Sequence, residues 1–408
     1  MPDRRWLVFA LSLLVTPVVA TGQDGVSASE EQLRLEQALR ENPRDAIALY
    51  ELAALRAAAG DRAATLRLLD RVSRAPGGLD PWFYRGFIPL RGDSAFDAIV
   101  ARVRAANPPR VRGTPAFSIT ERDLQPEGIA FDPASRSLLV GSFKGKILRI
   151  GADGAVSTFA TPGSVSSPRI VVGLRVDTIR HHLWAVVDDP RAFVDPTVMG
   201  AALRVYDLRS GREVARYSAR VGALNDVVVA PNGEAFATSP ADGAIWRATP
   251  GTPAMTEYLP SGSVIAANGI AVSPDGRHLF VAGWHDLQRV DLHTRAIHTI
   301  PSPPDAPLGS FDGLYWYRDG LIGVQNGIHP GRIVRVKLDR TRSRVVSSEI
   351  LERYHPLFNG VTTGALDADA FLYFANTQSR AFGGDGRPIP GVELKDIVIL
   401  KMRLETRD

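Results

Sequence analysis

One phrase recurs six times between Pro126 and Gln378: a residue set before glycine or aspartate, an apolar run, a turn, and further apolar runs. The copies begin PEGIAFD, VVGLRVD, LNDVVVA, ANGIAVS, FDGLYWY and TTGALDA, and IVILKMRL closes the last one near the C-terminus. Their opening residues are Glu127, Val172, Asn225, Asn268, Asp312 and Thr363, spaced by 45, 53, 43, 44 and 51 positions. Repeats of that length, built from short alternating or fully apolar runs punctuated by Gly, Pro and Asp, are the signature of four-stranded propeller blades. Six blades in a ring close around a channel and leave few strand edges bare. The expected fold is therefore mainly β, a six-bladed β-propeller over residues 115–408. Pro231-Asn232-Gly233 and Pro274-Asp275-Gly276 read as the turns between the first two strands of their blades.

Upstream the period changes. Residues 29–105 read as helical, starting from Ser29 and Gln32 in a capping-box spacing. Asn42-Pro43 opens a stretch through Leu49, Tyr50, Leu52, Ala53, Gly60, Ala64 and Leu68 that resembles one imperfect tetratricopeptide unit, and a third helix is expected at Ala95 to Arg104. A single helical hairpin needs a neighbour for its apolar face. The region reads either as a module for a protein partner or as a helical cap packed on the propeller. Residues 106–114, with Asn107-Pro108-Pro109, read as a linker.

At the N-terminus, Arg4 and Arg5 precede an apolar run from Trp6 to Val19 that ends in Val18-Val19-Ala20. Residues 1–22 read as a signal peptide, which implies export to the periplasm or secretion, with no stable membrane insertion once it is cleaved. The 48 Lys and Arg against 44 Asp and Glu are scattered rather than clustered, so no nucleic-acid partner is expected. The absence of cysteine excludes disulfides, zinc-thiolate sites and cysteine nucleophiles.

The first strand of each propeller blade lines the channel, so the six opening residues converge on the axis. Glu127, Asn225, Asn268 and Asp312 would bring two carboxylates and two amide oxygens to one end of the tunnel, a donor set suited to a hard cation. Calcium is the expected ion, with manganese or magnesium as alternatives. The competing reading leaves the same groups as strand caps and partners of channel water.

The PEG, ND, NGI and DG phrases, in this order and spacing, resemble those of the senescence-marker-protein/gluconolactonase family, also called regucalcin-like, over residues 115 to 405. A more distant likeness is to paraoxonases. The resemblance implies that Glu127, Asn225, Asn268 and Asp312 bind a catalytic divalent cation that polarises a lactone or ester carbonyl, with Asp312 as the catalytic base. Regucalcin-type sugar lactonases carry an arginine two residues before the asparagine of the ND phrase. This chain has Ala223 there, so an aldonolactone is not implied. Paraoxonases have Asp-Asn where this chain has Asp312-Gly313, and their catalytic histidines have no counterpart here.

The second strand of each blade ends on the face where the first begins. The expected pocket lining follows: Lys144, Asp188, Ser239, Trp284, His285, Asn326 and His329. His181 and His182 fall in a turn on the opposite face. No G-x-S-x-G, H-E-x-x-H or phosphate-loop pattern is present. The leading expectation is an exported, divalent-cation-dependent hydrolase of small lactones or esters. The alternative is a non-catalytic propeller that binds a ligand or a protein, with the helical region as its interaction module.

Overall fold

The computed structural model describes residues 28–405 except 76, 165, 194, 196, 304, 305, 384 and 385. The segment read as a signal peptide lies outside the described residues. Among them, no helix is long and apolar enough to cross a membrane.

The six repeats form six antiparallel sheets of four strands each among the described residues. Their innermost strands are Pro126–Asp132, Ile170–Asp177, Val227–Val229, Ile270–Val272, Phe311–Tyr317 and Gly364–Asp367, which define blades one to six. Each opening residue read from the sequence lies within its innermost strand or one to two residues before it. Gly233 and Gly276 take φ of 91° and 66° in the expected turns, which only glycine adopts without strain.

The core is divided among the blade junctions. Leu139, Val171 and Leu183 join blades one and two, Val186 and Val227 join two and three, and Phe236 and Ile270 join three and four. Phe280 with Phe311, Val324 with Phe371, and Val140 with Phe374 complete the ring. Fully burying such a side chain contributes about 1.5–3 kcal/mol, so each blade owes its stability to both neighbours. Blade six differs from the sequence expectation in one respect. Its outermost strand is Thr114–Ile119, from the start of the propeller, paired antiparallel with Ile397–Arg403 through Phe117↔Ile399 and Ile119↔Ile397.

Four α-helices precede the ring among the described residues: α1 (Ala28–Glu41), α2 (Ala46–Ala58), α3 (Arg62–Arg74) and α4 (Ser94–Ala106). Aspartates cap three of them. Asp45 accepts from the Ala48 amide at 3.0 Å, Asp61 from that of Ala64 at 2.9 Å, and Asp93 from that of Ala95 at 2.9 Å. The expected capping box fails, because Ala28 is already helical and Ser29 sits inside the first turn.

The helical core contains Tyr50, Leu69, Phe87 and Phe96, and Ile328 of blade five packs into it. The Asp80 amide donates to the His329 carbonyl at 2.8 Å. Tyr354 donates to Asp80 at 3.0 Å, and Arg332 donates to the Gly77 carbonyl. The region is thus seated on blade five as a cap. The linker is pinned as well: Arg110 and Arg353 exchange two backbone hydrogen bonds of 3.0 Å, and the Gly113 amide donates to Glu352 at 2.9 Å.

Candidate metal centre at the propeller hub

Backbone packing brings the hub together. A Cβ on Gly128 would lie 1.9 Å from the Val172 carbonyl oxygen, and one on Gly173 would lie 2.5 Å from that of Asn225. The glycine after an opening residue therefore lets the next blade's chain press against it. Blade three has Asp226 in that register.

Glu127, Asn225 and Asp312 are buried, at 3, 7 and 4 % exposure, and Asn268 is half-buried. Asn225 Nδ2 donates to Asn268 Oδ1, and both amides lie near enough to Asp312 to favour its charged form. Asn326 donates to Asp312 Oδ2 at 2.6 Å and to the Val361 carbonyl at 3.0 Å. Glu127 Oε2 is buried with no hydrogen-bond partner, while its backbone carbonyl accepts from Thr363 Oγ1.

Burial pushes the Glu127 carboxyl well above the carboxylate range, with Asp312 and Asp226 adding repulsion. Burial likewise raises Asp312 to about 7, against the hydrogen bond from Asn326 and with repulsion from Asp226. Among the described residues no basic side chain forms an ion pair with Glu127 or Asp312. Two buried carboxylates side by side must hold a proton or a cation. The donor set fits a hard cation, since a half-turn of either asparagine amide exchanges its NH2 for its carbonyl oxygen.

Below this group Arg175 crosses the channel. Its Nε donates to the Val227 carbonyl at 3.0 Å and Nη2 to that of Ile270 at 3.3 Å. Nη2 also lies 3.5 Å from Asp226 Oδ2, and the guanidinium stands 4.8 Å from the Tyr315 ring centre. Asp226 accepts from the amides of Val227 and Ile270 at 2.8 and 3.2 Å. The far half of the channel is a cavity of about 360 Å³ lined by Phe131, Leu174, Val229, Val272 and Trp316. Arg175 and Asp226 were missed in the sequence, although each leaves a signal there. One is a charge within an inner strand that is apolar up to it, and the other is an aspartate where most of the phrases have glycine.

The expected pocket residues divide into groups. Asn326 joins the hub. Asp188 and Ser239 lie behind Asn225: Asp188 Oδ2 accepts from the Leu224 amide at 3.1 Å, while its Oδ1 and Ser239 Oγ are buried without partners. Lys144 is tied to Asp123 and lies 3.6 Å from Glu121.

Trp284, His285 and His329 are not a free rim, because the helical cap covers them. Trp284 Nε1 donates to Glu51 of α2, and His285 Nε2 lies 3.3 Å from Glu51 Oε2. The His285 ring also contacts the Arg34 guanidinium of α1. Ligand atoms of Glu31, Glu51 and His285 fall within 4.8 Å of one another. Arg34 already supplies positive charge there, 3.8 Å from Glu51.

No family model matches the chain, and no curated protein matches it. Among solved structures, it is similar to the PQQ-bound form of aldose sugar dehydrogenase from Streptomyces coelicolor, at 14 % identity and a TM-score of 0.47, over 72 % of this chain and 99 % of that one. It is also similar to virginiamycin B lyase from Staphylococcus aureus, at 16 % identity and a TM-score of 0.44, over 63 % of this chain and 79 % of that one. Neither similarity bears on chemistry.

Proposed function

We propose that this chain is an exported, divalent-cation-dependent hydrolase of lactone or ester bonds, of the senescence-marker-protein/gluconolactonase type, with Glu127, Asn225, Asn268 and Asp312 as cation ligands. The observation that carries this reading is the burial of Glu127 beside Asp312, with an unpartnered Oε2 and, among the described residues, no basic side chain paired to either. Calcium is the leading ion because every donor is oxygen, with manganese or magnesium next. When bound, the cation would polarise the substrate carbonyl and stabilise the oxyanion.

The chain's own groups have separable tasks. Asn326 fixes one oxygen of Asp312, the proposed base, and Asp226 with Arg175 closes the channel beneath it. The helical cap covers Trp284 and His285 of blade four and packs on blade five, so substrate would approach from the side of blades one to three, past Lys144. Ala223 favours substrates other than aldonolactones. The packing of α2 and its neighbours on blade five supports a cap more than a free module for a protein partner.

The test is turnover of a panel of small lactones and aryl esters by the purified mature protein with calcium, manganese or chelator, alongside Asp312→Ala. Chelator-sensitive hydrolysis lost in the variant is expected. Inactivity across the panel despite tight cation binding would move the reading to a ligand-binding propeller. N-terminal sequencing of exported protein, expected to start near residue 23, tests the leader.

A further inference from the structure

The channel has a second mouth, opposite the hub, and its side chains are matched from blade to blade. Four positions after the opening residues stand Phe131, Val176, Val229, Val272 and Trp316, with Asp367 in blade six. All six are half-buried, whereas the residues two positions earlier, from Ile129 round to Ala365, are apolar and buried. The five apolar members line the cavity of about 360 Å³, and a hollow of about 220 Å³ adjoins it across Val176, Val229 and Val272. Asp367 is engaged elsewhere, with Lys401 at 2.7 Å. Scattered apolar side chains at a surface need no explanation, but five at one register around a concavity form the kind of surface that takes a ligand.

Strand edges supply polar groups to the same space. Val227 and Ile270 turn their N–H and C=O groups into the channel, where Asp226 and Arg175 meet them. Directions alternate along a strand, so Val229 and Val272 turn the same groups into the cavity one step further from the hub. Ala230 and Ser273 accordingly donate the other way, to the carbonyls of Glu234 at 2.8 Å and His278 at 2.9 Å. On the wall, Trp316 has a buried Nε1 without a hydrogen-bond partner, and its ring is held by Phe280 at 5.3 Å and by the Arg342 guanidinium at 5.1 Å. Arg175 is the charged residue that closes the cavity towards the hub, and Asp226 answers its charge at 3.5 Å.

We propose that this far mouth is a second ligand site, which takes a small uncharged molecule with an apolar body and one hydrogen-bonding group. The ring of side chains covers the body, and the strand edges at Val229 and Val272 bond the polar group. A cation would face Arg175. An anion would have to compete with Asp226 for that guanidinium while giving up its own water. The Arg175–Asp226 pair separates this site from the hub, so its chemistry does not depend on a cation there.

Fluorescence titration of the full chain with N-phenyl-naphthylamine, an uncharged aryl amine, reads the site directly. Saturable binding of one equivalent with blue-shifted emission is expected. Val229→Trp and Val272→Trp each fill the cavity from a half-buried position and should weaken binding about tenfold or more, with thermal melts showing that each variant is folded. Asp312→Asn should bind the dye as the parent does. The sulfonated analogue, anilinonaphthalene sulfonate, should bind about tenfold more weakly, the cost of desolvating its charge. The proposal is overturned if the uncharged dye fails to saturate at one equivalent, if both folded tryptophan variants bind it as the parent does, or if the sulfonate binds as tightly.

Discussion

Glu51 of α2 accepts a hydrogen bond from the indole nitrogen of Trp284 on blade four, 233 residues away in sequence. Burial pushes the Glu51 carboxyl up to about 8, and burial with the Arg34 charge pushes the neighbouring His285 down to about 3. Both groups are therefore most at ease uncharged, and the fastening of cap to propeller depends on pH in two opposed ways.

A raised carboxyl contributes stability that is complete below its unfolded value of 4.5 and is lost as pH rises through about 8. A lowered imidazole contributes stability that is present above its unfolded value of 6.5 and is lost as pH falls towards about 3. Glu51→Gln should remove the Glu51 share of the alkaline limb and leave the acid limb. Thermal melts from about pH 5 to pH 9 should show the parent losing several degrees while the variant stays flatter, with the acid limb shared. Parallel curves would mean that Glu51 is ionised in the folded state.

Asn326 holds Asp312 without belonging to the proposed ligand set. Removing an outer partner of a cation ligand typically costs about 10–100-fold in affinity, so Asn326→Ala should weaken calcium or manganese binding by that factor. Asp312→Asn should abolish it and, by relieving repulsion with Glu127, should raise the melting temperature in chelator. Titration calorimetry and paired melts with and without cation measure both. An Asp312→Asn protein that melts lower in chelator would contradict the electrostatic account of the hub.

Arg175 is the cation facing buried Asp226. Breaking a buried pair from one side costs about 3–5 kcal/mol, since the remaining charge is left unpaired. Arg175→Met should therefore lower stability to denaturant by that amount, and Arg175→Met with Asp226→Asn should recover most of it. A double variant no better than the single one would place the cost in packing against Tyr315 rather than in charge.

The ring was legible because its repeat period, turn glycines and opening residues all lie in local stretches of sequence. The convergence of Asn225, Asn268 and Asp312 follows from that period alone, because a closed ring of similar blades brings equal registers to one axis. What escaped is long-range or side-chain specific. Arg34 and His285 are partners across 251 positions, which no local pattern encodes. Thr114–Ile119 reads as an ordinary strand, and only closure reveals that its partner is Ile397–Arg403. The Ser29 capping box matched in spacing, yet the helix starts earlier and its siblings use aspartate instead.

That closure also sets an order of events. A nascent chain presents Thr114–Ile119 long before Ile397–Arg403 exists, so the strand made first among the propeller strands finds its partner last. The ring cannot lock while the chain is still emerging, and until then one edge of the sheet that becomes blade six stays open. Even a slight truncation before Arg403 should thus act on the whole toroid, with effects at blade one as large as those at blade six.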